Sequence, residues 1–499
     1  MPSGVLTVAL TSNFHADIIR ELINNGLPVR LAAISDRIEY QPDNLKEFLK
    51  KYKINSFNYE PLYRPDNFDK IYHPNYEILD SNFFKKISYY KELFLLMTDR
   101  NSFFPISVIE RSRLFNKYLF HFSELIDKNQ IDSIIFFGIP HGPWSIALWG
   151  LAKSLNINIM YTSPVDISTN FTTIETELTI NRKYIEDKAI LGKLVNIKSS
   201  NKIKKILKNQ IIQKSFTEKY INRKMLKHVN THKKYLKRIL SLILKQPFSV
   251  YISPEFDLNI HKRMRIACAF PLFKYYLSIL KSLRFYKVNS TKKLPNKNSV
   301  VLFLHMQPEA ALNPLGGYFN DQLLILDLIL EALPNDMNVF VKEHPYQYEE
   351  IGEDKNERSI DFYKYLIRDE RVTLLDRSLP STEIIENAGV IISSCGTVCW
   401  ESILIGKPSI VFGWSWFTNC KSCLVVDSVE KLRKAIIKSR SMAKEDVLKD
   451  RDDFIYNLQK RLIYGINSNY YLPDAGPDFD YDLGLKNIAK ALTIVTNKY

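Results

Sequence analysis

The tightest constraint on this chain is a thirty-residue run at 388–417: Ala-Gly-Val-Ile-Ile-Ser-Ser-Cys-Gly-Thr-Val-Cys-Trp-Glu-Ser-Ile-Leu-Ile-Gly-Lys-Pro-Ser-Ile-Val-Phe-Gly-Trp-Ser-Trp-Phe. Its apolar start, 389–392, has the unbroken hydrophobicity of a strand buried on both faces. Small and hydroxylated residues then cluster at Ser393, Ser394, Cys395, Gly396 and Thr397, which suits a tight turn and a helix N-cap. A helix is expected over 398–405; Gly406 and Pro408 end it, and a second apolar strand follows at 409–412. Strand, hydroxyl-glycine turn, helix and strand make one βαβ unit, which commits this part of the chain to a parallel sheet. The helix start then lies at the carboxyl edge of that sheet, where its N–H groups and dipole favour an anion. The run reads as a cradle for the phosphate of a nucleotide-linked substrate.

The same alternation recurs on both sides of the run. In the first half, strands are expected at 5–10 and 29–34 around a helix at 16–24. Residues 36–113, rich in Tyr, Lys and Phe, have only weak helical periodicity and place no element. A strand at 133–137 runs into Gly138-Ile139-Pro140-His141-Gly142-Pro143, followed by a helix at 144–155 and a strand at 158–162. His141 thus falls at a sheet's carboxyl edge, either as a site residue or as a loop histidine with no task. From 296 onward, strands at 299–304, 338–342 and 372–375 alternate with helices at 321–333, 359–368 and 382–388. A helix over 483–497 is expected to cross back to the first domain. The two alternating halves suggest the α/β class with paired Rossmann-like domains. The expected domains are 1–180 (acceptor side), a basic helical insertion at 181–295, a nucleotide-binding domain at 296–475, and the returning helix at 476–499.

Charge narrows the partners. The formal net charge is +15, and residues 202–245 hold fourteen Lys or Arg against the single acid Glu218. Their interleaving with Ile, Leu, Phe and Tyr fits either a helix lying on an anionic membrane surface or a solvated insertion. No recognition motif accompanies the charge, so nucleic acid is not expected. No run of eighteen apolar residues predicts a membrane span, and residues 1–10 read as a first strand rather than a signal peptide. Cytoplasmic residence follows as an expectation, with reduced cysteines. Cys395, Cys399, Cys420 and Cys423 have a spacing loosely like a zinc site, but two of them fall inside the turn and helix of the cradle, where small residues pack. No metal and no cofactor are expected.

Three loops share one expected location. Gln307-Pro308-Glu309, Glu343-His344-Pro345 and residues 393–397 each follow a parallel strand, and such loops converge on the carboxyl edge. Sugar transfer from a nucleotide needs a held phosphate, a group to offset the charge on the leaving group, and control of the anomeric centre. Ser393, Ser394, Gly396 and Thr397 fit the first need. His344 fits the second as a hydrogen-bond or proton donor. Glu309, Glu343 and Asp321 are carboxylates for the third. Glu401, one turn beyond Thr397, is placed to accept from ribose hydroxyls. Each has a plainer reading as a turn, a cap or a solvated carboxylate; their joint occurrence at successive strand ends favours a site.

The segments 304–309 (Leu-His-Met-Gln-Pro-Glu), 341–345 (Val-Lys-Glu-His-Pro) and 392–408 together resemble the capsule polysaccharide biosynthesis family, which includes Kdo transferases and is similar to polysialyltransferases. The resemblance covers residues 296–426. It implies a GT-B-like fold, two Rossmann-like domains facing a cleft, and a metal-independent glycosyltransferase of surface polysaccharide synthesis, transferring an acidic sugar from a CMP-sugar donor to a glycan or lipid-linked glycan acceptor. It implies that His344, Ser393 and Ser394 sit at the nucleotide phosphate, with Gln307 and Lys342 in the same site. It also implies a carboxylate in the first domain, for which Asp166 is the candidate. Cys395 departs from the small or hydroxylated residue usual there. The alternatives are a UDP-sugar transferase, a nucleotide-sugar epimerase, and a non-catalytic glycan-binding assembly component.

Overall fold

The computed structural model describes residues 3–35, 41–59, 80–100, 107–165, 168–178, 262–307, 312–345, 347, 358–477 and 479–498. Glu309, Asp166 and the basic segment 202–245 lie outside the described residues. The chain divides into two compact units: one from the described residues before 179 together with those from Leu458 on, the other from 262 through Asn457. Each is built on a seven-stranded sheet, and the expected α/β class with two Rossmann-like domains holds.

In the first unit, β1 (Val5–Leu10), β2 (Val29–Ile34), β3 (Asn55–Asn58), β4 (Ser133–Phe136), β5 (Asn158–Val165) and β6 (Ser168–Glu175) form the sheet with the short strand Ile463–Tyr464. The order is Ile463–Tyr464, β6, β5, β4, β1, β2, β3. The five strands from β3 to β5 pair in parallel, and β6 runs antiparallel to both of its neighbours, β5 and Ile463–Tyr464. Strand periodicity separates two cores: Leu6, Val8, Ile134 and Phe136 face one, while Val5, Leu10 and Ile135 face the other. The Asn13–Asn24 helix that follows β1 buries Phe14, Ile18 and Leu22 in the second core. The Pro143–Ser154 helix that follows β4 buries Trp144, Ile146 and Leu148 in the first. Connections from neighbouring strands therefore leave on opposite faces. The Tyr481–Lys498 helix covers the second face with Leu485, Ile488, Leu492 and Val495, a stripe at helical spacing. Burying each such side chain stabilises by about 1.5–3 kcal/mol.

The second unit holds β7 (Ser290–Thr291), β8 (Ser299–Phe303), β9 (Asn338–Lys342), β10 (Val372–Leu375), β11 (Val390–Ser393), β12 (Ser409–Val411) and β13 (Cys423–Val425). All pair in parallel in the order β13, β12, β11, β8, β9, β10, β7. Counted from β8, this is the doubly wound order, and the winding direction reverses between β8 and β11. Its central strands β8, β11 and β12 are apolar runs buried on both faces, as the covered middle of a parallel sheet requires. Among the described residues no helix is long and apolar enough to cross a membrane.

Candidate functional site

The candidate site is the crevice where β8 and β11 part. In an open parallel sheet the loops after those two strands diverge to opposite faces and leave a gap at the carboxyl edge. β8 lies between β9 and β11, so the ends of β9 and β11 are about 10 Å apart at ordinary strand spacing. The three loops singled out from the sequence thus lie side by side along one edge.

His305 joins two of them, and the sequence reading passed over it as a site residue. It follows β8, is 8% exposed, and its Nε2 accepts the Cys395 N–H at 3.2 Å. That acceptor role puts the ring proton on Nδ1. The close approach needs a residue without a side chain next door. A Cβ on Gly396 would meet Ser393 Oγ at 2.8 Å and His305 Nε2 at 3.2 Å. Gly413 closes the turn from the other side, where a Cβ would meet the Leu315 carbonyl at 2.6 Å.

The hydroxyls of the turn are not equivalent. Ser393 Oγ donates to the Phe303 carbonyl at 3.0 Å, and Ser394 Oγ to the Phe319 carbonyl at 3.0 Å. Each hydroxyl has one proton, so both are engaged in holding the loops to each other. The Ser394 carbonyl accepts from the Phe412 and Gly413 N–H groups, and Ser415 Oγ donates to the Cys395 carbonyl. Thr397 differs: it is exposed, stands at the N-cap of the Val398–Leu404 helix, and its side chain makes no cap hydrogen bond. Glu401 is half-buried one turn on, its N–H bonded to the Thr397 carbonyl. Gly396, Thr397 and the helix start are therefore the part of the turn whose polar groups are not spent on holding the loops together.

The loops after β8 and β9 are tied by a buried polar knot. Gln307 Nε2 donates to the Asn320 carbonyl, while its Oε1 accepts from Gln322 Nε2 at 2.8 Å and Arg358 Nη1 at 3.0 Å. Gln347 closes a reciprocal pair with the Gln307 backbone at 2.9 and 2.8 Å. Arg358 also gives Nη2 to the His305 carbonyl at 2.7 Å and Nε to Glu343 Oε2 at 2.9 Å. The Arg358 and Glu343 side chains are both fully buried. Glu343 further accepts from Tyr363 Oη at 2.7 Å and from the His344 N–H at 2.7 Å. Every strong donor in the knot meets an acceptor, which is what makes a buried charge pair tolerable. Glu343 and Gln307 thus face inward, setting the course of the loops that carry His305 and His344.

His344 is half-buried just past β9. Lys342, before it, is 3% exposed and gives its ammonium to the Asp376 and Arg377 carbonyls at 3.1 and 2.8 Å. Burial, with the Arg377 charge adding to it, lowers the Lys342 pKa to about 8. Arg377 Nη2 in turn donates to the Pro345 carbonyl at 2.8 Å. Asp321 caps the Gln322–Ala332 helix, accepting from the Leu323 and Leu324 N–H groups. His141 belongs to the first unit, exposed, with Nδ1 donating to the Ile139 carbonyl at 2.8 Å.

Cys395, Cys399, Cys420 and Cys423 are buried free thiols. Burial pushes Cys420 up to about 11 and raises Cys399 and Cys423 as well. Thiols held protonated in this way pack as small apolar groups. Among the described residues no group of His, Cys, Asp and Glu could hold a metal ion.

No family model and no curated protein matches the chain. Solved structures that overlap it include the UDP-GlcNAc 2-epimerase of Methanocaldococcus jannaschii with UDP-GlcNAc and UDP, at 12% identity and TM-score 0.24, over 88% of this chain and 93% of that one. KpsC of Thermosulfurimonas dismutans, a beta Kdo 2,7 transferase, overlaps at 10% identity and TM-score 0.26, over 66% of this chain and 88% of that one. The UDP-GlcNAc 2-epimerase of Neisseria meningitidis bound to UDP-GlcNAc overlaps at 12% identity and TM-score 0.21, over 99% of this chain and all of that one. Overlap of this extent assigns no activity to the chain.

Proposed function

We propose that the second unit holds the phosphate of a nucleotide-activated sugar between β8 and β11, and that the chain is a glycosyltransferase of surface polysaccharide synthesis. The observation that carries this reading is the uncapped start of the Val398–Leu404 helix, set by Gly396 and His305 at the reversal of strand order. The Thr397 hydroxyl and the first N–H groups of the helix bind the phosphate. They hold it more tightly as charge develops on the leaving nucleotide. His344 supplies a hydrogen bond or proton to that oxygen, and Glu401 accepts from the ribose. Glu343 and Arg358 act at one remove, by fixing the His344 backbone.

The donor is a CMP-linked acidic sugar and the acceptor a glycan or lipid-linked glycan. Glu309, Asp166 and His141 are further candidates in the transfer, and the basic segment 202–245 for contact with an anionic membrane. Thermal shift against CMP, UDP, GDP and their sugars tests the donor. A ligand at a hundred times its Kd stabilises by about 2.7 kcal/mol, so selective stabilisation by CMP is expected. Stabilisation by UDP alone, with interconversion of a UDP-sugar in the absence of acceptor, would replace the transferase by an epimerase. No response to any nucleotide would remove the phosphate reading.

A further inference from the structure

The first unit has a strand-order reversal of its own, between β1 and β4. The helices that follow those strands enter opposite cores, so a gap opens at this edge too. His15 stands in it, in the first turn of the Asn13–Asn24 helix, and is 7% exposed. Its Nδ1 lies 3.4 Å from the Thr11 N–H nitrogen, 3.2 Å from Thr11 Oγ1 and 3.0 Å from Ser12 Oγ. A backbone N–H only donates, so Nδ1 is the acceptor and the ring proton is on Nε2. Burial lowers the pKa to about 4, which keeps the ring neutral at pH 7.

Phe137, in the loop after β4, lies against this ring at 5.0 Å, and Phe14 lies at 5.5 Å. The Nε2–H makes no hydrogen bond to a described residue, and it is not among the side-chain atoms sealed from solvent without a partner. In the same first turn the N–H groups of Asn13 and Phe14, first in a twelve-residue helix, have no backbone partner. A tautomer fixed by three contacts, with its one donor left over at a helix start, is arranged for a ligand oxygen.

We infer that the first unit carries a ligand site at the β1/β4 reversal, where the His15 Nε2–H and the start of the Asn13–Asn24 helix hold an anionic oxygen group of a small saccharide against Phe137. A neutral donor adds no charge of its own, so the helix end supplies the preference for an anion and the fixed imidazole supplies the direction. The group is a carboxylate or a phosphate. The anion site rests on the first unit alone; that its ligand is a saccharide rests on the proposed function, so failure of the nucleotide site leaves the anion site standing.

The test uses the full chain with glucuronate, glucose 6-phosphate and glucose as probes, followed by calorimetry and by nitrogen-15 spectra of histidine-labelled protein. The His15 resonance is identified by its loss in His15→Gln. One charged probe is expected to bind at least tenfold more tightly than glucose and to shift that resonance. His15→Phe should weaken that probe tenfold or more, with His15→Gln between the two. Binding of glucuronate alone assigns a carboxylate, and of glucose 6-phosphate alone a phosphate. An unmoved His15 resonance with both charged probes overturns the inference, as does wild-type affinity in a folded His15→Phe. The spectrum of the wild-type chain decides the matter if that variant does not fold.

Discussion

Three polar side chains in this protein do work that their residue type alone does not announce. Thr397 is the hydroxyl of the cradle left uncapped, so Thr397→Val keeps the shape and removes the donor. A hydrogen bond to a charged group contributes about 1.5–3 kcal/mol, so nucleotide affinity measured by calorimetry should fall roughly tenfold to a hundredfold with little change in melting temperature. Arg358 behaves in the opposite way. Arg358→Met leaves the fully buried Glu343 carboxylate without its counter-charge, which costs about 3–5 kcal/mol and shows as a large loss in urea unfolding. His15 carries a pH signature. Its folded pKa of about 4 lies below the value of about 6.5 in an unfolded chain, so only the unfolded form takes up a proton between them. Its contribution is therefore intact above pH 6.5 and lost as pH falls to 4, by roughly 3 kcal/mol in all, and urea titrations of wild type and His15→Gln should diverge across that window. The sequence displayed Thr397 and His344 as strand-end residues, but it could not say where a donor goes. The Ser393 and Ser394 protons, the Gln307 amide and the Lys342 ammonium turn inward, which only coordinates reveal. Arg358 escaped notice because it reaches Glu343 from fifteen residues away, with no periodicity to mark it. His305 was within reach of the same strand-end rule that picked out Gln307.

Legibility at the level of elements followed burial on both faces. β1, β2, β9 and β10 stand where the apolar runs put them, because a strand inside a parallel sheet has little polar face to blur its ends. β6 was hidden for the converse reason. Its Thr172, Thr173 and Glu175 are buried although polar, held between antiparallel neighbours, so alternation never appears in the letters. The Ser81–Arg100 and Val108–Asn129 helices were unread as well, although Ser107 and Glu110 form a capping box that starts the second of them. The cradle makes its own prediction as an element. Gly396→Ala forces a Cβ against Ser393 Oγ and His305 Nε2, and such overpacking costs about 1–3 kcal/mol. Because the strain falls on the turn rather than on a donor, both melting temperature and nucleotide affinity should drop together, a pattern that separates it from Thr397→Val.

At the scale of the whole molecule, the first unit is made from two distant parts of the chain. The Ile463–Tyr464 strand pairs with β6, and the Tyr481–Lys498 helix lies on the Asn13–Asn24 helix with Tyr481 bonded to Asp17. Removing residues 481–498 would bare Ile18, Leu22 and Val5 together and should unfold the first unit, while the second keeps its cooperative transition in calorimetry. A single merged transition lost as a whole would contradict two separate cores. This arrangement also sets a schedule for synthesis. The opening sheet and the Asn13–Asn24 helix are translated before the second unit, yet part of one face, around Val5, Ile18 and Leu22, stays uncovered until a segment translated after that unit arrives. The second unit is thus complete before the first, whose uncovered patch waits for as long as the whole second unit takes to be read.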